Sequence, residues 1–315
     1  MKIHMKRLKL IFDMDSDADN LLALAYALQS PELEVLGAVT GHGFYQPETA
    51  AAGVNALLAA LNVELPVIPG AQRPLMRANM DKVLERPAPD TVMSTAAWDW
   101  MYSVLMDSDT PVTVCLLGAA TNLMHLLHKY PQAAEKIGEV FFVGGAYSFG
   151  TLTASACHKV YFDAEAMQFL MHAGVPFRMA TVDVTSGYGC GLETAALMAQ
   201  LGGFWLETAA KAAPAVPAAG VVRAPLAMVA LTHPELFSYG HYKCNVELHG
   251  ELTYGMTVIY RNDFDGVIEL ESGEKIRVEV AEKDKNVWDM QEFDRKQAMD
   301  LVLERLGAKR DGGAV

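Results

Sequence analysis

The most constraining feature of this chain lies near its amino end. There a short, largely apolar run, Leu8 to Phe12, passes straight into DMDSDADN, with four aspartates in seven residues: Asp13, Asp15, Asp17 and Asp19. The run reads as a buried strand, and a helical spacing from Leu21 to Leu28 follows it, closed by Ser30-Pro31. A second run, Val35 to Val39, completes a strand, loop, helix, strand unit in which Asp19 or Asn20 can cap the helix. Carboxylates crowded behind a buried strand repel one another. A fold that gathers them supplies a cation, a proton or a bound polar ligand in return. An Asx-rich turn capping the helix explains only part of such a cluster.

The same alternation continues along the chain. A helical stretch Val54 to Leu61 precedes Pro66 to Ile68, and Val112 to Leu117 precedes a helix from Thr121 to Lys129. Val140 to Val143 reads as a strand, then a helix from Ala164 to His172 leads into Pro176 to Val182. Strands alternating with helices predict a mostly parallel central sheet covered on both faces, an α/β fold. After Asp183 the pattern turns helical from Leu192 to Ala213, with an Ala/Pro stretch, Ala212 to Ala219, that reads as a loop. Lys243 to Leu248 and Met256 to Tyr260 predict a small C-terminal antiparallel ribbon, and Met290 to Leu306 a last helix before a frayed tail. No repeat or linker divides residues 1–315, so one domain is expected. Ligands of open parallel sheets bind outside the carboxyl ends of the strands, which directs attention to the loops after Phe12, Val39, Leu117, Val143 and Val182.

The formal net charge of −13 disfavours nucleic acid and anionic membrane as partners and favours small molecules. No run approaches the roughly 20 apolar residues that span a bilayer. The basic opening, Met1 to Lys9, precedes an apolar segment too short for a signal peptide, and a cytoplasmic location is expected. Cys115, Cys157, Cys190 and Cys244 form no CxxC pair, so neither a disulfide framework nor a zinc knuckle is predicted. Three read as buried hydrophobes, and Cys157 is set apart by its neighbour His158.

Two families present aspartates in this manner. LIFDMDSD resembles the first motif of haloacid-dehalogenase-type phosphatases, in which Asp13 would attack phosphorus with magnesium present. Their Thr or Val is Asp17 here, and no later Gly-Asp pair follows. The nucleoside hydrolases offer the fuller resemblance, with Asp13, Asp15, Asp19 and Asn20 in the positions of their Asp-x-Asp and Asp-Asp pairs. SPELEVLGAVT, LPVIPGAQRPL, LLGAATNL, FFVGGAY, YFDAEAM, TVDVT and HGELTYGMTVIYRN are similar to that family's successive segments, in order, across residues 8–306. The resemblance implies the nucleoside hydrolase fold and N-glycosidic bond hydrolysis, with Asp15 as general base and Asp19 holding a ribose hydroxyl. It also implies a dimer or tetramer of identical subunits.

The resemblance further implies a calcium ion that holds the attacking water, and here the sequence departs. Calcium would keep Asp15, Asn20 and the Leu117 carbonyl, but Asn20 replaces a carboxylate and Ala224 stands where a distant aspartate is expected. No cofactor is therefore predicted, and calcium only if that reduced set suffices. Phe44 replaces an Asn. Thr151, Cys157 and Lys159 replace the Asn, Glu and Asn that grip ribose, and Arg223 replaces the His that serves some members as leaving-group acid. Arginine holds its proton and cannot act as that acid. Lys159 and Arg223 are predicted to take over the electrostatic role of the metal, facing Asp15 and Asp19 or an anionic ligand. His42 and His158 are expected to face the same cleft. The expected function is hydrolysis of a nucleoside-type N-glycosidic bond at a metal-poor site, on an altered substrate for which an anion is one expectation, with a non-catalytic protein that binds a nucleoside-like or sugar-like ligand and a phosphatase using Asp13 as alternatives.

Overall fold

In the computed structural model, which describes residues 7–76, 96–186, 223–261, 266–278 and 282–307, the run after Arg7 forms the strand β1, Leu8–Met14. From Leu10 to Met14 its residues are fully buried, with Leu10, Phe12 and Met14 in one hydrophobic cluster and Ile11 in the other. Side chains alternate across a strand, so a sheet covered on both faces needs apolar residues at successive positions. The parallel strands β2 (Leu33–Thr40) and β4 (Val112–Leu116) flank β1. Beyond them lie β3 (Val67–Pro69), β5 (Ile137–Val143) and β6 (Phe177–Ala180), all parallel.

Among the described residues the main sheet has nine strands in the order β3-β2-β1-β4-β5-β6-β11-β7-β8. The strand β11 (Val287–Phe293) runs parallel to β6 and antiparallel to β7 (Phe237–Val246), which pairs with β8 (Thr257–Tyr260). The predicted ribbon is thus the far edge of the main sheet, and a separate two-stranded pair joins β9 (Gly266–Glu269) to β10 (Lys275–Val278). Helices α1 (Ala18–Leu28), α2 (Pro47–Ala60), α8 (Ala224–Thr232) and α9 (Arg295–Arg305) pack in the cluster that contains Phe12. Helices α3 (Ala96–Asp107), α4 (Thr121–Lys129) and α6 (Ala164–Met171) pack in the cluster that contains Ile11. Two short helices, α5 (His158–Tyr161) and α7 (Val182–Ser186), follow strand ends. No described helix is long and apolar enough to cross a membrane.

Several boundaries differ from the sequence expectation for local reasons. The α1 N-cap is Asp17 and makes no side-chain cap, because Asp19 and Asn20 lie inside the first turn and their side chains bond elsewhere. The second helix begins at Pro47, well before Val54, since proline's fixed φ suits a first turn. Val182 opens a short helix instead of ending a strand. Met290 to Phe293 belong to β11, and the last helix starts at Arg295, where the Asp294 carboxylate accepts the Gln297 N–H at 2.9 Å. The predicted helix Leu192 to Ala213, the stretch Ala212 to Ala219, Cys190 and the tail beyond Gly307 lie outside the described residues. The Gly144-Gly145 pair is a tight strand exit: Gly145 has φ +86°, and a Cβ there would stand 2.7 Å from Met179.

One side chain ties the carboxyl ends of the central strands together. Asn122, fully buried on α4, donates to Oδ1 of Asp13 at 2.9 Å and to the Thr40 carbonyl at 3.3 Å, and accepts the Ala71 N–H at 2.8 Å. Gly70 permits this approach, since a Cβ there would fall 2.2 Å from the Asn122 amide oxygen. Asn122→Ala would strand a buried carboxyl and a buried N–H. Urea denaturation should show a loss of about 3 kcal/mol.

Candidate functional site

The acidic sequence places its carboxylates in four different settings, because β1 extends through Asp13 and α1 begins directly after Asp17. Asp13 points into the interior. It is fully buried and bound by Asn122, and burial pushes its carboxyl up to about 7. A phosphatase nucleophile must reach an external phosphorus, so the packing of Asp13 contradicts that alternative.

Asp15 lies just beyond the strand and is 2 % exposed. Its Oδ1 accepts from the Asp17 N–H at 3.1 Å and from Nδ2 of Asn20 at 2.5 Å. The same Nδ2 donates to the Leu117 carbonyl at 2.9 Å, while Oδ1 of Asn20 accepts from Nζ of Lys159 at 3.0 Å. This amide has only one consistent orientation. An ammonium can only donate, and a carboxylate and a carbonyl can only accept, so the amide oxygen faces Lys159 and the NH2 group faces the other two. Lys159, on the first turn of α5, is 5 % exposed, which a lysine tolerates only beside compensating charge. Burial raises the Asp15 carboxyl above its ordinary range, and Lys159 opposes that rise.

Asp19 binds the amino end of α8, its Oδ1 accepting the Arg223 and Ala224 N–H groups at 2.9 and 3.0 Å. A carboxylate at a helix N-terminus is favoured by the unpaired N–H groups and the dipole there. Burial raises its carboxyl, and Lys159, these N–H groups and Arg223 oppose it.

Asp17 meets His158, with Oδ2 and Nε2 3.8 Å apart. Burial, then the charge of Asp15, pushes the Asp17 carboxyl up to about 8, while burial, Lys159 and Arg223 push the His158 imidazole down to about 3. Both shifts favour neutral forms, so near neutral pH the contact joins two uncharged groups and is no ion pair. The other His158 nitrogen, Nδ1, bonds the exposed Thr151 hydroxyl at 3.1 Å, and the half-buried Phe44 ring lies 5.1 Å from the imidazole, itself edge-on to Phe162. Asp15, Asp17 and His158 each bring one oxygen or nitrogen within 4.8 Å of the others.

A cavity of about 30 Å³ opens among Asp17, Asp19, Asn20, His158, Lys159 and Arg223, with Cys157 and Gly144 also on its wall. That volume matches about one water-sized group. Asp17 Oδ1, His158 Nε2 and Arg223 Nε are buried there without a hydrogen-bond partner among the described residues. Cys157 packs with Ala146 and Val182, while His42 turns away from the cavity and bonds Thr121, whose hydroxyl reaches Asp163 at 2.6 Å. Burial holds His42 down at about 4, so it is neutral and serves as part of that internal network. Sequence reasoning missed Asp17 as a cavity residue, and Asn122 and Asp163 as the supports of its surroundings. For Asp17 the signal was present in the aspartate excess over ordinary turn chemistry.

This set suits calcium poorly. Calcium requires oxygen ligands, but an NH2 group occupies the space between Asp15 and the Leu117 carbonyl, and the one amide oxygen is taken by an ammonium. Ala224 is buried and offers only its N–H. Of the other polar neighbours, Asp17 has a carboxyl that burial and Asp15 hold towards its neutral form, Asp19 is taken by helix N–H groups, and His158 is an imidazole, which calcium does not favour.

Comparison with known proteins places these observations in a family. The model of the inosine-uridine preferring nucleoside hydrolases matches residues 10–300. The pyrimidine-specific ribonucleoside hydrolase RihA of Escherichia coli (strain SMS-3-5 / SECEC) is 31 % identical over 279 residues, 80 % of this chain and 88 % of its own. RihA of Escherichia coli O7:K1 (strain IAI39 / ExPEC) is 30 % identical over 95 % of this chain and 98 % of its own. Among solved structures, the plant nucleoside hydrolase PpNRh1 superposes with a TM-score of 0.73 at 21 % identity, covering 96 % of this chain and 100 % of that one. A purine-preferring ribonucleoside hydrolase from Gardnerella vaginalis gives 0.70 at 22 %, covering 95 % and 98 %.

The raised Asp17 carboxyl has a stability consequence. The folded state holds the proton between the ordinary value of 3.8 and about 8, so the unfavourable contribution of Asp17 grows as pH rises through that window. Asp17→Asn should therefore unfold less readily than the parent at pH 8, by roughly 2 kcal/mol, and the gain should vanish near pH 4. Denaturant titrations at the two pH values measure this difference.

Proposed function

The chain belongs to the inosine-uridine preferring nucleoside hydrolase family, and we propose that it cleaves the N-glycosidic bond of a neutral nucleoside-type substrate with Asp15 as general base. The observation that carries this reading is the position of Asp15, at the mouth of β1, where burial raises its basicity and the charge of Lys159 opposes that rise. Oδ1 is fixed by the Asp17 N–H and the Asn20 amide, which leaves Oδ2, facing Gly43, to take the proton of an attacking water. As the bond from the sugar to the base breaks, positive charge develops on the sugar ring. The carboxylates of Asp15 and Asp19 stabilise it. Arg223 and Lys159 offer donors to sugar hydroxyls.

Charge balance argues for a neutral ligand over an anionic one. Beside the cavity the basic side chains Lys159 and Arg223 face the carboxyl groups of Asp17 and Asp19, with Asp15 reached through the Asn20 amide. The cations are matched by the protein's own carboxylates and leave no surplus for a phosphate. The relatives named for pyrimidine ribonucleosides make uridine and cytidine the first substrates to test. A cytoplasmic location and a dimer or tetramer of identical subunits belong to the same reading.

A second reading, a binding protein without turnover, draws on the tight engagement of Asp15 Oδ1 and the small cavity. Release of reducing sugar from uridine, cytidine and inosine separates the two. Hydrolysis is expected for at least one nucleoside, with a loss of about 10³-fold in Asp15→Asn. Saturable nucleoside binding with no sugar released by the parent would leave only the binding reading.

A further inference from the structure

We propose that the ammonium of Lys159, acting through the Asn20 amide, is the resident cation of this site, so that the protein assembles its acidic loop and holds its ligand without a divalent metal. The inference rests on the reading of the site as that of a nucleoside-type ligand, but its geometry is independent of turnover.

Three side-chain changes fit one another. Asn20 turns its NH2 group to the two oxygens, Asp15 Oδ1 and the Leu117 carbonyl, at 2.5 and 2.9 Å. These would otherwise face each other across a cation. Its carbonyl oxygen turns outward to Nζ of Lys159 at 3.0 Å. An aspartate at position 20 would bring a further carboxylate against Asp15, whereas the amide donates to it. Ala224, fully buried, removes the remaining carboxylate, and its N–H is directed to Asp19 instead. The ammonium is buried and shares the cavity wall with Asp17, Asp19 and Asn20, where a central cation would also lie among them. With one of its three donors on Asn20, its one hydrogen-bond partner among the described residues, Lys159 has two left on a wall of the cavity for ligand hydroxyls. The bound chemistry is therefore a polyol recognised by hydrogen bonds, not by metal coordination.

The test is cation binding by the whole chain. Isothermal calorimetry of the parent with CaCl2 to ~5 mM, above the range of weak protein calcium sites, should give no saturable heat. Thermal unfolding should be the same in calcium and in chelator. The variant Asn20→Asp/Lys159→Ala/Ala224→Asp, which restores the carboxylates and removes the ammonium, should bind calcium and gain about 5 °C in Tm on its addition. If the triple variant fails to fold, Asn20→Asp/Lys159→Ala, which puts a carboxylate back beside Asp15, decides. Removal of the resident cation should lower Tm in chelator and calcium should restore part of it, whereas a lysine that only packs would lower Tm equally in both. Saturable calcium binding by the parent, or a fall of its Tm in chelator, would overturn the inference. The two readings fail separately. A parent that ignores calcium and releases no sugar would end the hydrolase reading and leave this one standing, while calcium-dependent release would do the reverse.

Discussion

Everything at the carboxyl face of this sheet depends on holding four carboxylates within one turn of chain behind a buried strand. Like charges in a low-dielectric setting cannot all stay ionised without compensation. The fold gives each one a separate solution. Asp13 is packed and bound by Asn122, and Asp19 caps α8. Asp17 is held near neutral pH in its protonated form beside a neutral imidazole, and Asp15 is coupled through an amide to a buried ammonium. The helices α1, α5 and α8 converge because these side chains need partners from three separate parts of the chain.

Much of this was legible in the sequence because it follows from period and composition. The strand from Leu8 is a short apolar run that ends abruptly at the acidic loop, and the helix from Thr121 carries an apolar spacing of helical period. The segment resemblance gave the order of elements and placed Lys159 and Arg223 near the aspartates, and both line the cavity. Less legible were features set by tertiary partners. Met290 to Phe293 run on into the pattern of the last helix, yet antiparallel pairing with β7 claims Met290, Glu292 and Phe293 for the sheet. Asp19 and Asn20 have cap propensity, but contacts more than ninety residues away draw their side chains inward. His42 sits on a loop beside the site and still faces Thr121, because ring direction within a loop leaves no sequence period to read. Phe44 and Thr151 both touch the His158 ring, one by a tilted ring contact and one by a hydrogen bond.

The exchange of a metal for an ammonium changes what the site can demand of its substrate. A divalent ion acidifies a bound water directly, whereas an ammonium polarises it only through a hydrogen bond. On the proposed reading of a site ordered by Lys159, proton removal from water would fall to Asp15 alone, and the basicity that burial gives Asp15 would be the main lever on the nucleophile. The same burial favours the neutral carboxyl, and the charge of Lys159 opposes it. The distance between Asn20 and Lys159 is thus coupled to catalysis through a carboxylate that Lys159 does not touch by hydrogen bond. Weaker activation of water shifts the remaining requirement to the leaving group. On this scaffold, substrates whose base departs readily, with charge already delocalised over the ring, are the ones an ammonium-ordered site can turn over.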